Sequence, residues 1–130
     1  MATQTIFKQK LHLSWHGYYP YSIQNIVDYV PSTAGVYELS VQLKNGNLRV
    51  FYVGQARDLR NRLYEHLQVN ESNDCVRENV KKYICHFKFA FLTTLIERDG
   101  AERALYFYYN PECNDPKAIP SGPDVTINPD

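Results

Sequence analysis

Two runs of alternating apolar and polar residues, GVYELSVQLK and NLRVFYVG, flank Asn45-Gly46, and no other stretch restricts the fold as much. The alternation has the period of a strand with one buried face. Asn-Gly is the preferred pair for a two-residue type I′ turn, whose twist matches that of the strands it joins. The segment therefore reads as an antiparallel hairpin. With Asn45 and Gly46 as the turn, Lys44 pairs with Asn47, and counting along the ladder brings Leu39 opposite Tyr52 and Tyr37 opposite Gly54. Tyr37 and Tyr52 then share a face as diagonal neighbours, about 7–8 Å apart. Gly54 leaves open space opposite Tyr37.

After Gly54 the chain turns into a helix, expected from about Arg57 to Leu67, on which Leu59, Leu63 and Leu67 form an apolar band. Arg62 and His66, one turn apart, fall beside that band and are expected at a cleft edge. Around this core the signals are shorter. IFKQKLHL reads as an edge strand and SWHGYYPYS as an aromatic loop that either stacks bases or, more in keeping with half-buried Trp and Tyr, caps the core. Ser22 is an N-cap for a helix from Ile23 to Val30, ended by Pro31. VNESND is a polar linker, VRENVKKYIC has helical spacing, and HFKFAFLTTL is a strand with Phe87, Phe89 and Phe91 on one face. In GAERALYFYYN, Ala101, Ala104, Leu105 and Tyr108 mark a buried helix face with Glu102 at its border. The proline-containing tail from Pro111 is expected to wrap the surface without regular structure. The fold class is mixed α/β of the α+β kind: a small antiparallel sheet of strands 34–43, 48–54 and 86–95, flanked by helices.

A chain of 130 residues is the size of one domain. Nothing approaches the apolar length of a membrane span, and MATQTIFKQK lacks the apolar core of a signal peptide, so the expected location is the cytoplasm. Fourteen basic side chains balance fourteen acidic ones, which excludes a protein that grips nucleic acid through overall charge. The distribution is uneven. Arg57, Arg60, Arg62, Arg77, Lys81, Lys82 and Lys88 fall mid-chain, whereas acidic residues crowd the last quarter. Three cysteines without a CxxC pair, Cys75, Cys85 and Cys113, are expected as reduced thiols, at a spacing that fits no common zinc pattern.

Gly35-Val36-Tyr37, Tyr52-Val53-Gly54, the run to Arg62 and His66, Glu102 on a later helix and Asn114 after Pro111 stand in the order of the GIY-YIG nuclease family, which the chain resembles from about 31 to 114. Residues 1–30 would then be an N-terminal elaboration and 115–130 a tail of the same single domain. The resemblance implies a metal-dependent endonuclease that hydrolyses DNA phosphodiesters with one divalent cation, Mg²⁺ or Mn²⁺. Glu102 would hold the metal, and Tyr37 would act toward the attacking water. Arg62 would offset charge at phosphorus, Tyr52 and His66 would hydrogen-bond the water and the tyrosine, and Asn114 would fix a loop or the glutamate. Gly35 and Gly54 are the motif glycines; Arg57, Arg60, Lys81 and Lys82 would meet the DNA backbone. Where members resembling the repair excinuclease have a lysine after the second glycine, this chain has Gln55. No appended recognition motif is evident, so specificity would come from DNA structure, a homodimer or a partner. A catalytically silent nucleic-acid-binding or protein-interaction module on the same fold is the alternative, against which the intact set of polar residues speaks.

Overall fold

The expected hairpin forms, but by a different route. In the computed structural model, which describes residues 9–130, strands β3 (Gly35–Gln42) and β4 (Leu48–Ala56) pair antiparallel with Leu39 opposite Tyr52 and Tyr37 opposite Gly54. The turn is not the two-residue type I′. The Leu43 N–H donates to the Asn47 carbonyl and the Gly46 N–H to the Leu43 carbonyl, leaving a loop of Lys44, Asn45 and Gly46 in which Gly46 takes the positive φ of 87°. That shifts the first rungs by one residue. A bulge at Phe51, where the register steps between Leu39 and Ser40, shifts them back. Both deviations cancel before the tyrosines are reached.

The sheet order is β2-β5-β3-β4, all antiparallel, with β2 at His16–Pro20 and β5 at Cys85–Phe91. The aromatic loop is thus an edge strand: His16 stacks on Phe89 at 5.2 Å and Tyr19 on Tyr29 at 4.3 Å. Helix α1 (Ile23–Tyr29) starts as expected at Ser22, whose side chain accepts from the Asn25 N–H. Helix α2 (Leu59–Glu65) is capped by Asp58, and α3 (Asp74–Lys82) by Asn73. Helix α4 (Leu95–Tyr109) begins earlier than the sequence suggests, because the Thr94 side chain caps it through the Glu97 N–H and cuts short the expected strand. Its buried stripe is Arg98, Ala101 and Leu105, and Tyr108 stands 62% exposed; Tyr109 takes the inward position, its hydroxyl donating to the Pro129 carbonyl.

Two cores flank the sheet. Tyr37, Leu39, Val41, Phe87 and Phe89 pack with Leu59 and Leu63 of α2 and Ile26 of α1; Phe91 shares that face, its ring 5.5 Å from that of Phe89, but stands at its exposed end. Val36, Val53 and Ala90 pack on the other side with Ala101 and Leu105 of α4. The latter face also buries Glu38 and Lys88, 3.5 Å apart, under Trp15 and Tyr18, with the Lys88 ammonium 4.4 Å from the Trp15 ring centroid.

Three expectations need correction. The tail is not wholly irregular: it forms a 3₁₀ turn at Pro116–Ala118 and strand β6 (Val125–Ile127), which pairs parallel with β1 (Gln9–Leu11) because Asn128 bridges both backbone groups of Leu13. Of IFKQKLHL, residues 6–8 lie outside the described residues, and only 9–11 are strand. Nor are all thiols reduced: Cys75 and Cys113 form a disulfide, and Cys85 is free and buried. The linkage ties α3 to the segment after α4, two regions whose proximity spacing alone does not reveal.

Candidate active site at the open edge of the sheet

Tyr37 stands on central strand β3 and Tyr52 on β4, and the register places both rings on the α2 face, their centroids 6.1 Å apart. Gly54, opposite Tyr37, does not face empty space. A Cβ there would lie 2.5 Å from the Tyr37 Cζ and hydroxyl, so the missing side chain is what lets the phenol lie across β4. Gly35 has a similar reason: a Cβ would collide with the Ala90 carbonyl and Leu59.

His66 caps the C-terminal end of α2, its N–H reaching the Arg62 carbonyl, and is fully buried rather than at a cleft edge, at 1% exposure. Its Nε2 lies 2.7 Å from the Tyr37 hydroxyl, and the Tyr52 ring packs edge-on against it at 5.2 Å. Burial, with help from the Arg62 guanidinium, pushes the imidazole down to about 3, so it is neutral at physiological pH. Burial also holds the Tyr37 phenol well above its ordinary value, against the pull of Arg62, while Tyr52 and Glu102 add to the rise. Tyr52 is raised for the same first reason, again opposed by Arg62. A standing phenolate at Tyr37 is thereby disfavoured; a phenol beside a neutral proton acceptor is what the site holds.

Arg62 is half-buried. Desolvation pulls its pKa down, but Tyr37, Tyr52, Glu71 and a hydrogen bond to Glu65 carry it above the ordinary value, so it stays charged. Its Nη1 donates to the Glu65 Oε2 at 3.1 Å and lies 3.7 Å from the Glu71 Oε2. Glu71, from the polar segment between α2 and α3, was not signalled by the sequence; it is 4% exposed.

Glu102 rises from α4, on the other face of the sheet, near enough for its charge to raise the pKa of both Tyr37 and Tyr52. Burial raises its carboxyl, a hydrogen bond from Gln55 lowers it, and Asp99 adds to the rise. Gln55 Nε2 donates to Asp99 Oδ1 at 2.6 Å and more weakly to Glu102 Oε2 at 3.3 Å, while its Oε1 accepts from Arg98 Nε at 3.3 Å. The residue standing where excinuclease-like sequences have lysine thus organises two carboxylates. Among the described residues no cluster of three or more His, Cys, Asp or Glu side chains forms a cage for a metal. One partly desolvated carboxylate held by a single long hydrogen bond is still a donor set that suits a hard cation completed by water and phosphate oxygens.

Asn114 uses both ends of its amide on one residue: Oδ1 accepts from the Val53 N–H at 2.9 Å and Nδ2 donates to the Val53 carbonyl at 2.8 Å. It does not touch Glu102; it seals part of the outer edge of β4. The basic residues named for DNA, Arg57, Arg60, Lys81 and Lys82, are all exposed, with Lys82 paired to Glu78 at 3.1 Å. Arg60 is engaged elsewhere, donating to the Val30 and Val27 carbonyls at 2.7 and 2.9 Å at the end of α1.

A four-stranded antiparallel sheet of order β2-β5-β3-β4 with helices on both faces defines a mixed α/β domain. More particularly, the chain has the fold of the GIY-YIG endonuclease domain. It is similar to the N-terminal GIY-YIG endonuclease domain of UvrC from Thermotoga maritima bound to magnesium, at 22% identity and a TM-score of 0.55, covering 72% of this chain and 96% of that one. A tyrosine-to-phenylalanine mutant of that domain, bound to its catalytic divalent cation, superposes at 24% identity and the same TM-score, over 72% of this chain and 94% of that one. No family model and no curated protein matches the sequence. No described helix is long and apolar enough to cross a membrane.

Proposed function

We propose that this chain belongs to the GIY-YIG nucleases and is a divalent-metal-dependent endonuclease that hydrolyses phosphodiester bonds in DNA. The observation that carries the reading is the buried 2.7 Å contact between Tyr37 and a neutral His66, with Tyr52, Arg62 and Glu102 gathered around it.

The Tyr37 hydroxyl takes a proton from the attacking water as it passes its own to His66 Nε2, so no free phenolate need exist at neutral pH. Arg62, charged and near enough to both phenols for its charge to act on them, offsets the negative charge that grows on the phosphoryl oxygens. Tyr52 borders the water's position and packs His66 in place. Glu102 would hold Mg²⁺ or Mn²⁺, which when bound supplies Lewis-acid charge at the phosphate and at the leaving oxygen. Asn114 keeps the segment after α4 on β4 and so fixes the outer wall. Arg57, Lys81 and Lys82 are the exposed cations available to the DNA backbone.

The test is cleavage of supercoiled plasmid and of branched DNA with magnesium, manganese or chelator, wild type against Glu102→Ala. Cutting that needs metal and is lost in the variant is expected; metal-dependent cutting that survives would remove Glu102 from the metal site.

A further inference from the structure

Glu71 carries more of the site than its place in a polar linker suggests. It is buried, and both carboxylate oxygens are committed. Oε1 accepts from the Asn73 N–H at 3.1 Å, while Oε2 lies 3.3 Å from His66 Nδ1 and 3.7 Å from Arg62 Nη1. The Nδ1 contact is close without the alignment of a full hydrogen bond, and Nδ1 has no other partner. The carboxylate is itself held: Asn73 donates from Nδ2 to the Cys113 carbonyl at 3.0 Å, and Cys113 is bonded to Cys75.

A neutral imidazole carries one proton, on one nitrogen or the other. A buried carboxylate beside Nδ1 favours the proton there, which leaves the Nε2 lone pair facing the Tyr37 hydroxyl. The reverse tautomer would set a lone pair against a carboxylate and give Nε2 no capacity to accept. Once His66 has taken the Tyr37 proton, the imidazolium lies against the same carboxylate, and the water's proton replaces the one that left Tyr37. The leaving oxygen takes a proton from solvent, and His66, sealed from solvent, hands its proton back to Tyr37 as Tyr37 releases the one taken from water, so the relay resets. The groups facing His66 are Tyr37 and Tyr52 from the sheet, Arg62 from its own helix and Glu71 from the linker.

We propose that Glu71 is a positioning residue: it selects the His66 tautomer that can receive the Tyr37 proton, and it anchors Arg62 with the same oxygen. The proposal deepens the nuclease reading and rests on it for its catalytic meaning. Nitrogen-15 shifts of His66 in the labelled wild-type protein test the tautomer without any substitution. Protonated Nδ1 with a bare Nε2 is expected; a protonated Nε2 would overturn the assignment. In Glu71→Gln, which keeps the shape and removes the charge, single-turnover plasmid cleavage at saturating DNA and magnesium should slow on the order of 10–100-fold, the range seen when an orienting group behind a working side chain is lost. The half-saturating DNA concentration should stay the same. An unchanged rate, or a loss confined to DNA affinity, refutes the positioning role. If the wild type itself cuts nothing, the nuclease reading fails, and the nitrogen shifts still decide what Glu71 does to His66.

Discussion

Replacing Gly54 by alanine adds one methyl group at the point where the site is tightest. The new Cβ would stand 2.5 Å from the Tyr37 Cζ and hydroxyl oxygen, whereas ordinary contact begins near 3.4 Å, so the phenol must retreat by roughly 1 Å. The Gly54 backbone is not in the left-handed region, which makes the steric term the dominant one. The ring is buried at 1% exposure on a central strand and has no slack, so overpacking should cost about 1–3 kcal/mol of stability. The same movement breaks the 2.7 Å contact with His66, and a misplacement of that size should lower turnover about 100-fold. The assay is a cycle with Tyr37→Phe, measuring urea midpoints and single-turnover cleavage for all four proteins. Phenylalanine keeps Cζ in the way, so the stability cost of Gly54→Ala should persist in that background. The activity cost should vanish, because no hydroxyl is left to misplace. Full activity in Gly54→Ala alone would refute the argument that the glycine exists to seat the phenol.

Two further predictions concern stability. His66 is pushed down to about 3 from an ordinary 6.5, so the unfolded chain binds the extra proton and stability should rise with pH between those values. Glu38, buried beside Lys88, is pushed up to about 8 from 4.5; the folded state keeps its proton longer, and stability should fall as pH climbs from 4.5 through 8. The two effects oppose each other from 4.5 to 6.5, giving a plateau flanked by limbs no steeper than about 1.4 kcal/mol per pH unit. Urea midpoints from pH 3 to 9 should lose the acid limb in His66→Gln and the alkaline limb in Glu38→Gln; limbs unaltered by both changes would assign the titration to other groups. The Cys75–Cys113 bond closes a loop of 38 residues, worth about 4 kcal/mol on the chain-entropy account, so replacing both cysteines by serine should lower unfolding free energy by up to that amount. An unchanged denaturation midpoint would show that the linkage does not constrain the unfolded chain.

The tyrosine pair was legible because period-2 alternation fixes which side chains share a face, and that survives errors made in pairs. The Asn-Gly turn did not form as two residues, yet the bulge at Phe51 restored the register, and it lets Phe51 and Tyr52, consecutive in sequence, both pack on the α2 side. Helix phase placed Arg62 and His66 beside the leucine band but could not say how deep, since depth depends on what lies opposite. Glu71 and the disulfide were illegible for a related reason: the first depends on the linker folding back onto α2 and the second on α3 meeting the post-α4 segment, and no local pattern encodes either. Tyr108 was misassigned because the helix was started at Gly100, which left Arg98 out of the buried stripe; with Arg98, Ala101 and Leu105 setting the face, Tyr109 holds the inward place.

The position of the site follows from the sheet having two cores and one end strand. Alternation along β3 sends Tyr37 toward α2 and Glu38 toward α4, so no single face holds both the Tyr37–Tyr52 pair and the α4 carboxylate. They meet only where a strand has nothing beyond it, and the order β2-β5-β3-β4 makes β4 such a strand. An open edge is normally a hazard, because free N–H and C=O groups recruit other strands. Here the Cys113 N–H donates to the Phe51 carbonyl at 2.9 Å and Asn114 occupies both polar groups of Val53, so that stretch is closed by a side-chain amide and one backbone bond rather than by a further strand. A full strand would have walled off Tyr52 from Glu102. Asparagine at 114 satisfies the backbone while leaving the passage around β4 open, which is the physical reason that an amide, and not an apolar residue, suits the position.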